Sequence, residues 1–169
     1  METLTDKEIN DLYNAYKLHC NIEQAKPLEK LLRIYFVLNE DEHNIEWRDL
    51  THIRNFKGRK GEHEADFLIY NIAVIETKNW DCFKRCYSIS VNNAKGEILN
   101  RFTKYSKNLK RILVIANPIW AEGAKEYLLN NSVHIIELGF VVTESNISDA
   151  FDLVETAMSK LLFPSENSK

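Results

Sequence analysis

The sequence predicts an α/β fold with a mixed central sheet. Three observations predict it: apolar helical stripes fill the first forty residues, residues 64–78 read as an antiparallel hairpin, and strand and helix patterns alternate from residue 87 onward. At 169 residues the chain suits one compact domain with a full core, and it carries no repeat or low-complexity linker that would mark a second. A hydrophobic fraction of 44% and a charged fraction of 28% are those of an ordinary water-soluble globular protein. No apolar run reaches the ~18 residues that span a bilayer. The polar start Met1–Lys7 lacks the apolar core of a signal peptide. The expectation is a single domain over 1–169 in the cytoplasm, with no membrane partner.

The elements are taken in chain order. Thr5-x-x-Glu8 is a capping box that opens a helix to about Cys20, within an N-terminal helical extension over 1–26. Asn21-x-x-Gln24 caps a second helix, with Pro27 in its early turns and Leu28, Leu31, Leu32, Tyr35 and Phe36 as its buried stripe. The acidic run Glu40–Glu42 marks a turn, and 45–54 reads as a first strand. After the hairpin come a short strand at 87–91, a helix at 94–108 and a buried strand at 111–116 that stops at Asn117-Pro118. A helix at 120–130, strands near 133–137 and 139–143, and a helix at 148–162 complete the fold. Residues 164–169 read as a frayed, disordered tail.

The hairpin carries charge where a sheet should be dry. Asp66, nine residues, then Glu76-Thr77-Lys78 sit on two apolar strands. An unpaired buried carboxylate or ammonium costs several kcal/mol, so these groups must be compensated by one another, by water or by a cation. Asn71 tolerates the left-handed backbone of a tight turn. A three-residue loop centred on it puts Asp66 directly opposite Glu76, with Cβ atoms about 5 Å apart and Lys78 on the same face. Two carboxylates so close repel unless a divalent cation lies between them. Mg²⁺ suits such a site, because it takes one or two protein carboxylates and fills its other positions with water and phosphate oxygens. Lys78 beside it would orient a water and offset charge in a phosphodiester transition state. Acids and lysines also alternate on solvated strands, and the spacing alone occurs by chance in many chains.

In Asp66, Glu76 and Lys78 the chain resembles the PD-(D/E)XK nuclease superfamily. Gly61-x-x-Glu64-Ala65-Asp66-Phe67 followed by Val74-Ile75-Glu76-Thr77-Lys78-Asn79-Trp80 is most similar to the nuclease-related domain, and less so to Holliday-junction resolvases and Mrr-type restriction enzymes. The resemblance spans about residues 27–145, with motif strength only in 61–80. Ala65 stands where the superfamily's proline would be, and Asp81-Cys82 stands where the nuclease-related domain has a glycine after its aromatic residue. The resemblance implies a three-layer α/β/α restriction endonuclease-like core and a Mg²⁺-dependent deoxyribonuclease, with Mn²⁺ able to substitute. Asp66 and Glu76 would be metal ligands, Lys78 would assist the attacking water, and a further acid on the preceding helix, Glu29 with Glu23 as rival, would be an outer ligand. Glu29 equally fits as a complement to the helix dipole.

A net charge of −3 does not by itself indicate a nucleic-acid binder, so distribution matters more. Arg54, Lys57, Arg59 and Lys60 crowd a loop that Gly58 and Gly61 let bend toward the motif, and they are the expected DNA contacts, joined by Lys95. Lys104, Lys107, Lys110 and Arg111 form a second group that reads better as solvated surface. His63 stands close to the motif. Cys20, Cys82 and Cys86 are too few for a four-thiolate cluster and read as reduced thiols. The last helix, with Phe151, Val154, Leu161 and Leu162, serves either as core or as a homodimer interface. A nuclease-fold module that binds nucleic acid without cutting it, and a junction resolvase, are the alternative functions.

Overall fold

A computed structural model describes residues 26–51 and 64–165. The expected helix over 5–20, Glu23, Cys20, the basic residues Arg54, Lys57, Arg59 and Lys60, His63 and the tail beyond Ser165 lie outside the described residues.

Helix α1 (Lys26–His43) buries Leu28, Leu31, Leu32, Tyr35, Phe36 and Asn39, the spacing of one helical face. It runs through Glu40–Glu42, where the sequence suggested a turn. It ends instead at Asn44, whose φ of 50° is left-handed, and Ile45 N–H closes the terminus on the Glu40 carbonyl at 3.0 Å. Strand β1 (Trp47–Asp49) is shorter than the expected 45–54. The Asp49 carboxylate accepts the Thr51 N–H at 2.9 Å, a local turn that takes the backbone out of the ladder.

Strands β2 (Phe67–Ile69) and β3 (Ala73–Asp81) form the expected hairpin, with Phe67 opposite Ile75, Leu68 opposite Val74 and Ile69 opposite Ala73. The turn is three residues long and centred on Asn71, at φ 61°. β4 (Lys110–Asn117) and β5 (Val133–Glu137) complete one five-stranded mixed sheet in chain order, antiparallel from β1 to β3 and parallel from β3 to β5. Ile112–Ala116 is buried at every position, as a central strand covered on both faces must be.

Helices cover both faces. α1 and α5 (Ile147–Leu162) pack with Phe67, Ile69, Ala73, Ile75, Ile112 and Val114 on one side. On the other, a helical segment over 91–101 and α4 (Ala124–Asn130) pack on Val74, Leu113, Ile115 and Val133. α5 buries Ala150, Val154, Met158 and Leu162, while Phe151 and Leu161 pack partly buried on the same core, so its apolar face is spent internally.

Four further expectations are corrected. The strand at 87–91 is a single bridge between Ile89 and Trp120, because α2 (Cys82–Arg85) precedes it and Ser90 at once caps the next helix through a reciprocal box with Asn93. The helix expected over 94–108 is instead one α turn, α3 (Val91–Asn93), a π turn (Ala94–Ile98) and a 3₁₀ turn (Leu99–Arg101). The helix expected from Trp120 starts at Ala124, after Gly123 at φ 78°. Residues 139–143 are not a strand: Gly139 sits at φ 85°, and both backbone groups of Val142 are taken by the Asn79 side chain.

Candidate active site

β3 is the spine of the site. Its apolar start is fixed by sheet pairing on both sides, and alternation then sends Val74, Glu76, Lys78 and Trp80 to the face covered by the 91–101 segment. Glu76 is completely buried. Lys78 Nζ lies 2.7 Å from its Oε1 and 5.2 Å from the centre of the Trp80 ring, so the ammonium bridges a carboxylate and an aromatic face. Arg101 Nε, from the 3₁₀ turn, stands 3.9 Å from the same oxygen. Glu76 Oε2 has no hydrogen-bond donor among the described residues. A buried carboxylate oxygen normally has one, because desolvation costs several kcal/mol per ion.

Asp66 is positioned by a bulge that the sequence did not reveal. Its N–H donates to the Ile75 carbonyl at 2.9 Å although Ile75 is the partner of Phe67, so residues 66 and 67 both oppose Ile75. Asp66 therefore does not stand directly across from Glu76 in the expected register. Its carboxylate is buried and swings onto Thr77, where Oδ2 accepts the backbone N–H at 2.7 Å and the hydroxyl at 2.6 Å. The bulge also ends β2–β3 pairing at Ile75. Among the described residues, the stretch Glu76–Lys78 pairs in the ladder with β4 alone.

Asn79 faces away from Glu76 and has a different task. Its amide donates to the Val142 carbonyl at 2.8 Å and accepts the Val142 N–H at 2.9 Å, pinning the loop after β5 to the motif strand.

The remaining candidates separate. Glu29 stands in the first turn of α1, 3.8 Å from Arg33 Nη2, and Arg33 bonds Asp49 and Thr51. Among the described residues no three histidine, cysteine or acidic side chains gather where they could share an ion. Glu29 is thus not brought into one donor set with Asp66 and Glu76. Lys95 is exposed on the π turn. Asn93, in the same polar stretch, is used by the Ser90 cap. In the second basic group, Lys104 pairs with Glu64, Lys110 donates to the Leu161 carbonyl at the end of α5, and Arg111 donates to the Asn131 carbonyl at 3.3 Å. Those three serve the fold. Cys82 is buried and Cys86 exposed, both as free thiols. Burial, with a hydrogen bond to the Cys82 thiol, pushes the Tyr87 hydroxyl up to about 12.

Arg101 is the charged neighbour that sequence reasoning missed. Its signal is faint: the apolar positions Ala94, Ile98 and Phe102 mark an inward helical face, and Arg101 borders it.

Carboxylate oxygens are ligands for hard divalent cations rather than soft ones. Asp66 and Glu76 are both buried, Glu76 with an oxygen that lacks a hydrogen-bond donor among the described residues. Among the described residues no helix is long and apolar enough to cross a membrane. No protein-family model, curated protein or solved structure matches the chain.

Proposed function

We propose that the chain is a metal-dependent nuclease of the restriction endonuclease-like class, hydrolysing DNA phosphodiester bonds, with Asp66, Glu76 and Lys78 as its working residues. The observation that carries the reading is the completely buried Glu76, with one oxygen against Lys78 and the other without a donor among the described residues. A purely structural carboxylate in that position would gain more from a second donor or from replacement by an apolar side chain.

Asp66 and Glu76 would hold Mg²⁺ or Mn²⁺, which when bound polarises the phosphoryl oxygen and raises the acidity of a water. The chain's own residues do the rest. Thr77 fixes the Asp66 carboxylate through two hydrogen bonds, so its second oxygen has a set direction. Lys78, anchored on Glu76 and Trp80, presents an ammonium that orients the attacking water and offsets the charge growing on the phosphoryl oxygens.

A second reading rests on one observation: Lys78 and Arg101 together place two cations on a single acid, as a self-neutralised cluster would. It makes the protein a nuclease-fold module that binds DNA, a junction included, without cutting. The test that separates the two is cleavage of supercoiled, linear, single-stranded and four-way-junction DNA with Mg²⁺, Mn²⁺ or EDTA. Asp66→Ala, Glu76→Ala and Lys78→Ala should each abolish metal-dependent cutting while DNA affinity survives. Binding by the wild-type protein with no cutting of any substrate would select the module.

A further inference from the structure

We infer that Phe83 is a base-stacking residue, on which an unpaired base of a DNA strand rests, so that single-stranded or frayed DNA is the substrate class. The inference deepens the nuclease reading and rests on it for DNA as the ligand.

Three features support it. The first is exposure. Phe83 is 61% exposed, more than any other phenylalanine, tyrosine or tryptophan among the described residues, and it belongs to neither hydrophobic core. One exposed apolar side chain is ordinary on a protein surface, and what sets this one apart is its mounting and its surroundings.

The second feature is that mounting. α2 begins where β3 ends, so Phe83 follows Lys78 by five residues and its Cα lies at most about 18 Å away. The turn that carries it is fixed at both ends. Asp81 Oδ1 accepts the Lys84 N–H at 3.1 Å and the Asn117 amide at 3.2 Å, and Cys82 is buried. Cys86, left-handed at φ 51°, donates its N–H to the Phe83 carbonyl at 3.3 Å. A ring presented on backbone that is already ordered loses little conformational freedom when a base settles on it. The neighbouring rings of Trp80 and Tyr87 are 6.5 Å apart and partly buried against the second core, which leaves Phe83 as the open face.

The third is charge. In a chain of net charge −3, residues 82–96 hold Lys84, Arg85 and Lys95 and no acid. Lys84 is exposed next to Phe83, and Lys95 is exposed on the π turn. An aromatic ring set among cations suits a single nucleic-acid strand, whose phosphates meet the cations while a base takes the ring. The core of a protein–protein interface is instead depleted in lysine. In a duplex the base faces are already stacked on one another, so the ring selects unpaired bases.

The test is fluorescence anisotropy of a labelled oligothymidylate and of the same strand paired in a duplex, in EDTA so that neither is cut. The variants are Phe83→Ala, Phe83→Leu and Phe83→Trp. The side chain is exposed, so all three should fold as the wild type does. Loss of one stacked base should weaken single-strand binding about tenfold in Phe83→Ala, with duplex binding changed by less than about twofold. Phe83→Leu keeps the apolar bulk without the ring and should lose as much. Phe83→Trp should keep the wild-type affinity, and its added indole emission should be quenched by the bound strand.

Unchanged single-strand affinity in Phe83→Ala, an equal loss on the duplex, or wild-type affinity in Phe83→Leu overturns the inference. So does tighter binding of the matching oligouridylate, or no binding of either strand by the wild-type protein. A dimer in sedimentation that Phe83→Ala dissolves, with single-strand affinity unchanged, gives the ring to a second copy of the chain and overturns it too. Cleavage by the wild-type protein in Mg²⁺ is scored separately. A tenfold loss in Phe83→Ala with no cutting by the wild type keeps the stacking contact and sinks the nuclease, and cutting with unchanged Phe83→Ala affinity does the reverse.

Discussion

Thr77 shows how one residue sets the geometry of another. It was invisible as a site residue in the sequence, standing as the spacer in Glu-x-Lys, yet its N–H and hydroxyl are the two donors to Asp66 Oδ2. Hydrogen bonds to charged groups contribute roughly 1.5–3 kcal/mol, so Thr77→Val should lower stability by about that much in urea denaturation and reduce cleavage by letting Asp66 turn. Unchanged stability would show that the backbone N–H alone holds the carboxylate.

Tyr87 gives a pH signature at the same scale. Its folded pKa, pushed up by burial to about 12, lies above the ordinary value of 10.0, so the folded state prefers the neutral phenol. The stabilisation is fully present below pH ~10 and is lost as pH rises through ~12. Tyr87→Phe should move the alkaline unfolding midpoint upward, and phenolate absorbance should show one fewer late-titrating tyrosine. Tyr35, buried and bonded to Ser159 at 3.0 Å, is raised as well and would remain in that titration.

The elements that were legible in the sequence are those whose signals are local. The α1 and α5 stripes, the β4 run and the Asn71 turn each come from residues within one element, and the hairpin register came from the turn length. What failed depended on distant partners. Residues 139–143 have a strand-like composition, but Asn79 takes up Val142 from 63 positions away. The Asp66 bulge arises because a carboxylate competes with the ladder for Thr77 N–H, which hydrophobic periodicity does not register. The π turn likewise leaves no mark in apolar spacing, so Arg101 was passed over, while Glu29, expected as an outer ligand, pairs with Arg33 on a regular helix.

The Asn79 link can be tested directly. Asn79→Ala would leave the Val142 N–H and C=O, both in a buried setting, without their partners, at a cost of about 2–4 kcal/mol. It should also loosen the 139–146 loop, read as faster amide exchange there than in β4. Equal protection before and after the change would mean that the loop is held by packing of Val142 alone.

On the scale of the whole molecule, the site lies where the sheet changes character. β3 is antiparallel to β2 and parallel to β4, and it loses β2 at Ile75, one residue before Glu76. β3 and β4 are packed from both faces, which suits a centre that must hold charges to a fraction of an ångström. The two cores sit on opposite sides of that strand, and Glu76 and Lys78 lie on the face of the second, between Val74 and Trp80 along β3. In the proposed reading the fold is only a platform, and phosphodiester chemistry would rest on the named side chains.

The central claim is that the buried Glu76 works in metal-dependent hydrolysis rather than in holding the sheet together. The measurement that tests it most directly is nicking of supercoiled DNA by the wild-type protein and by Glu76→Gln, each in Mg²⁺ and in EDTA, with the melting temperature of both proteins recorded alongside. The expected result is cutting by the wild-type protein in Mg²⁺ alone and none by Glu76→Gln, with a variant that still folds cooperatively although Lys78 has lost its charged partner. Cutting retained in Glu76→Gln, or no cutting by the wild-type protein together with a steep loss of stability in the variant, would contradict it.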